Sequence, residues 1–130
     1  MLTPNDPHLV EGLRLINEGR YWDAHEVLED LWMAKVGDEK LLLQALIQIT
    51  VGFYHRDNGN EPGAEKLFAH AREKLGRLRT RDHGGVSADA LEALVLRAGT
   101  DHAARPSFEV DPSLPRPAYR IDENGEVHFS

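Results

Sequence analysis

Between two tryptophans the chain reads His25-Glu26-x-x-Glu29. An imidazole and a carboxylate four residues apart lie on the same side of a helix. Three uses of such a pair compete. It can belong to a polar network that ties two helices together and fixes their register. It can supply nitrogen and oxygen ligands to a divalent metal, with His25, Glu29 and His55 as the ligand candidates and Glu26 as a fourth donor. It can also act without metal, as a histidine base with a carboxylate partner in a pocket walled by Trp22 and Trp32. The order differs from the Glu-x-x-His of di-iron helical proteins, and no second copy is present. A zinc-protease helix would end this motif in histidine, not glutamate. No nucleophile or oxyanion arrangement is legible. His70, His83 and His102 have no nameable partner and read as solvated side chains.

Two helices must position these groups. Placed at 100° steps, Tyr21, Ala24, Leu28, Leu31 and Trp32 share one side of a helix over about 21–35. His25 falls at the edge of that apolar face, and Glu29 one step further out beside Trp22. The next helix, about 39–57 with Asp38 as its expected N-cap, is apolar nearly all round, as a central helix is. Its one polar stripe is Gln44, Gln48 and His55 together with Val51, with Gly52 alongside. A short connection makes the two helices antiparallel. Counting outward from Gly37 sets Glu26 opposite Gln48, Glu29 near Ala45 and Trp22 over Gly52. The His25/Glu29 edge then meets the Gln44/Gln48/His55 stripe.

The remaining helices frame this pair. Asp6-Pro7 precedes a first helix carrying Leu9, Leu13 and Ile16, with Gly19 as its stop. Pro62 opens a fourth helix with Ala64, Leu67, Phe68, Ala71, Leu75 and Leu78 on its apolar face, ended by Asp82-His83-Gly84-Gly85. Ser87 caps a fifth that packs Leu91, Leu94 and Val95 and stops at Gly99. From Pro106 onward prolines replace helical periodicity. Asn124-Gly125, between the alternating pairs Tyr119/Ile121 and Val127/Phe129, signals a hairpin.

With 130 residues, the chain suffices for one core. A net charge of -7 opposes general nucleic-acid binding, the five basic side chains of segment 72–85 notwithstanding. Without cysteine there is no disulfide framework and no thiolate site. The opening residues lack a signal-peptide pattern, and no apolar run is long enough to span a bilayer, so a cytoplasmic location is expected.

The stretch GRYWDAHEVLEDLW, followed by LLLQALIQITVGFYHRDNGNEPGAEKLFAHAREKL, resembles the small helical proteins of domain-of-unknown-function family 309. The resemblance covers about 18–75 and implies an all-helical bundle with no assigned activity. Matched position by position, the family's polar marks fall on His25, Glu26, Glu29, Gln44, Gln48 and His55.

The expectation is an all-α, compact antiparallel bundle of about five helices over 1–105. An extended C-terminal arm over 106–130, with a small β-hairpin, packs on or beside it. The leading function is a structural or interaction module with a buried His/Glu/Gln network between helices two and three, self-associating through exposed aromatic surface. The alternative is a metal- or histidine-dependent hydrolase or small-ligand-binding protein. No cofactor is evident beyond the candidate divalent metal, and neither membrane nor nucleic acid is an expected partner.

Overall fold

The Asp6 carboxylate accepts the backbone N–H groups of His8 and Leu9 at 2.9 and 3.2 Å, and Pro7 presets the first turn. This starts helix α1, Pro7–Asn17. A computed structural model describes residues 1–116 and 118–129. Helix α2 is Tyr21–Met33, α3 Gly37–Asp57, α4 Glu61–Gly76 and α5 Ala88–Thr100. Two short antiparallel strand pairs complete the chain: β1 Asp82–His83 with β2 Val86–Ser87, and β3 Tyr119–Ile121 with β4 Val127–Phe129.

Helix α3 holds the centre. Leu42, Leu43, Ala45, Leu46, Ile49 and Phe53 are all buried, so its apolar sequence has neighbours on most sides. Helix α1 approaches α2 closely at Gly12, where a Cβ would stand 2.5 Å from Leu28 Cδ2. Helix α3 approaches α4 at Gly52, where a Cβ would stand 2.6 Å from Phe68 Cε1. Gly52 therefore makes room for Phe68, not for Trp22 as helix counting proposed. The buried Arg56 guanidinium spans three elements, bonding Glu61 of α4 and the carbonyl of Ala98 in α5, the latter at 2.8 Å.

Other boundaries differ from the sequence reading for local reasons. Helix α3 starts at Gly37, whose φ of +63° favours glycine. Asp38 does not cap that helix. Its carboxylate instead accepts the backbone N–H groups of Arg79 and Thr80 at 3.0 and 2.9 Å, which holds its pKa below the usual range. Helix α4 stops at Gly76, although Leu78 still reaches the core. Ser87 caps α5 as expected, accepting from Ala90 N–H at 3.2 Å, and the helix runs one residue past Gly99.

The terminal hairpin has the register its alternation implied, Tyr119↔Phe129 and Ile121↔Val127. Val127 is buried, and Phe108, Val110, Tyr119, Ile121 and Phe129 pack against the helical core. His8 bonds Asp30 at 2.6 Å and meets the Phe129 ring edge-on at 4.4 Å. Among the described residues no helix is long and apolar enough to cross a membrane.

Candidate functional site

Helix α2 turns His25 toward Glu29, whose Oε2 lies 2.9 Å from Nε2. The other ring nitrogen, Nδ1, is 3.7 Å from Glu26 Oε1. The imidazole thus sits between two carboxylates of its own helix, one on the adjoining residue and one a turn later. Burial pushes the Glu26 carboxyl above its usual pKa, and the neighbouring Glu29 and Asp23 charges act in the same direction while His25 opposes them. Gly125 of the terminal hairpin lies over Glu26, so close that a Cβ would stand 2.7 Å from Oε2.

The α2/α3 seam brings together Glu29, Trp32, Gln44 and Gln48. With Ile47 they line a cavity of about 250 Å³. Lys40 Nζ lies 4.4 Å from the centre of the Trp32 ring, within cation–π range. The polar network is not closed. His25 Nδ1, Trp32 Nε1 and Gln48 Oε1 are buried without a hydrogen-bond partner among the described residues. A buried group left unpaired costs about 1–3 kcal/mol, so two such atoms on residues that line one cavity constitute an unmet demand for a donor and an acceptor.

His55 stands apart from this group. The Trp22 ring meets His25 at 4.8 Å and Tyr54 at 5.1 Å, tilted against both, and Tyr54 in turn lies 5.8 Å from His55. Two rings therefore separate the histidines. His55 Nδ1 lies 3.4 Å from the Asn60 amide nitrogen. Among the described residues, the group of three side chains close enough to share an ion is Asp122, Glu126 and His128, not His25, Glu29 and His55. The Asp122 oxygens serve the hairpin itself: one accepts from the backbone N–H of Asn124 and of Glu126, the other pairs with His128. The His128 contact is also the main reason the Asp122 pKa is lowered.

Outside the cavity, α2 presents an uncovered stripe. Trp22, Glu29 and Met33 follow at helical spacing, and Trp22 is 48% and Met33 67% exposed. Val36, at the corner before α3, is 81% exposed. Sequence counting placed Trp22 and Trp32 near the site but missed Lys40, Ile47 and Met33. A lysine is normally read as a solvated side chain, and a lone methionine near a helix end carries no periodic signal.

Residues 9–67 match the model of a family described as a domain of unknown function (DUF309). The matched segment contains every member of the seam and of the aromatic row, and it excludes the C-terminal arm. No curated protein matches the chain.

Proposed function

We propose that this protein is a non-catalytic interaction module whose α2/α3 seam docks a second copy of itself. The observation that carries this reading is the unpaired donor at Trp32 Nε1 and the unpaired acceptor at Gln48 Oε1, on two residues that line one cavity. An interface built on a two-fold axis needs each surface to contain its own complement. This seam does, with a donor and an acceptor, and with an acid, Glu29, in the cavity lining and a base, Lys40, over the Trp32 ring. Both atoms are buried in the isolated chain, so docking turns the Gln48 amide and the Trp32 indole outward together, each to meet its counterpart on the second copy. The exposed side chains of Trp22 and Met33 favour a protein surface over a small molecule, because aromatic residues and methionine are enriched where proteins dock.

Sedimentation velocity over a concentration series tests the reading. The wild-type chain sediments as a dimer at high concentration, and Met33→Glu weakens that association at least about tenfold, or about 1.4 kcal/mol. A wild-type chain that stays monomeric up to about 1 mM, a limit corresponding to about 4 kcal/mol of binding energy, contradicts it. The small-ligand reading of His25 and Glu29 then takes its place.

A further inference from the structure

We infer that one flank of α1 is a peptide-recognition groove, filled in this structure by the chain's own residues 106–116. Its ligand is a peptide with an aromatic residue and, eight positions on, an arginine, the two joined through a tight turn like the one Leu114 N–H closes on the Asp111 carbonyl at 3.2 Å.

The groove reads backbone at one end and a cation at the other. Asn17 pairs with Phe108 twice: its Nδ2 donates to the Phe108 carbonyl at 2.7 Å, and its Oδ1 accepts the Phe108 N–H at 2.7 Å. Arg14 donates to the carbonyls of Leu114 at 2.7 Å, Pro115 at 3.1 Å and Asp111 at 3.4 Å. These contacts hold a chain that turns between Asp111 and Leu114 and so brings three carbonyls to one guanidinium. Specificity comes from two side chains. Phe108 packs on the helical core. Arg116 donates through Nε to both oxygens of Glu11, at 2.8 and 3.2 Å, and through its terminal nitrogens to Glu18.

Glu11 is the strongest sign of a built receptor. Its side chain is 1% exposed, and its cationic partner is Arg116. A buried carboxylate with its cation removed is strongly destabilised, so α1 carries a demand that a guanidinium must meet. Glu11, Arg14, Asn17 and Glu18 all lie within the segment that matches the family model, whereas the arm lies outside it. The receptor and its present occupant are thus separate parts of the sequence. Tethering sets an effective concentration in the millimolar range for the occupant in cis, and a peptide in trans competes once that occupant is weakened.

The test uses the full chain and a fluorescein-labelled peptide of residues 106–116, read by anisotropy. Arg116→Ala in the protein, which loosens the arm, tightens peptide binding at least about tenfold over wild type. Adding Asn17→Ala abolishes that gain, and so does replacing the peptide's arginine with glutamate. Hydrogen exchange on the same Arg116→Ala chain shows the Phe108 amide losing protection. No binding to this variant at protein concentrations up to about 1 mM, the scale of the tether, overturns the inference. So does an arm that stays protected without Arg116, or binding that ignores Asn17→Ala. Exchange of arms between two protein copies without peptide capture overturns it in favour of a swapped dimer.

Discussion

Gly125 lies against Glu26: a methyl group on the glycine would stand 2.7 Å from the carboxylate oxygen Oε2. The same glycine has φ +79°, a conformation that side chains with a Cβ resist. Gly125→Ala therefore acts twice, on the turn and on the carboxylate beneath. We expect it to loosen the terminal hairpin, read as lost cross-strand NMR contacts between Tyr119 and Phe129, while the helical signals stay.

Glu26 also gives the fold a specific pH signature. Burial raises its pKa in the folded state. The stabilisation linked to its proton is therefore complete below the ordinary glutamate value of about 4.3. It is lost as pH rises through the raised value. Glu26→Gln removes that loss. Its melting temperature is expected to exceed wild type at pH 7 and to match it near pH 4; a gap of equal size at both pH values contradicts the assignment.

Gly52→Ala tests the contact between α3 and α4. The added methyl group meets the Phe68 ring at 2.6 Å, and the ring sits between Phe53 at 5.0 Å and the Arg56 guanidinium at 5.3 Å. The expected cost is about 1–3 kcal/mol in urea unfolding, as for overpacked cores.

Arg56→Met keeps side-chain volume but strands the Ala98 carbonyl and takes the cation from Glu61. Hydrogen bonding to Arg56 is the main cause of the lowered Glu61 pKa. Chemical denaturation is expected to show a loss of about 3 kcal/mol. Glu61 contributes stability above its ordinary pKa that is lost as pH falls through the lowered one. The deficit of the variant should therefore narrow in acid.

Much of this architecture is legible in residue types, because helices bury stripes and turns need particular residues. Leu9, Leu13 and Ile16 fix the inner face of α1. Ser87 caps as its chemistry predicts, and Asn124-Gly125 marks the hairpin whose strands pair as their alternation implied. What resisted reading is which neighbour a face meets. Counting outward from the α2–α3 corner gave Trp22 over Gly52 and Glu26 opposite Gln48. Such counting ignores helix rotation and the claims of other elements. Phe68 of α4 occupies the Gly52 notch, and the hairpin covers Glu26. Asp38 looked like a cap from its position, yet it bonds a loop 41 residues away. The clamp of α1 on the arm joins side chains about 100 residues apart, a separation at which local pattern carries no information.

The unpaired atoms of the seam supply a further prediction. Trp32→Phe removes a buried N–H that has no partner among the described residues. Dropping an unsatisfied donor recovers its desolvation cost, so the isolated monomer is expected to gain about 1 kcal/mol in urea unfolding at low concentration. The same substitution weakens self-association, which opposes stability and function at one atom.

The most direct test follows the Trp32 indole N–H by ¹⁵N–¹H NMR across a dilution series. We predict that its proton resonance moves upfield on dilution, as the bond to Gln48 of a second copy is lost, with a midpoint matching the dimer dissociation measured by sedimentation. An indole resonance that stays fixed while the oligomeric state changes would contradict the central claim, because the second copy would then be docking without answering the unpaired donor in the seam.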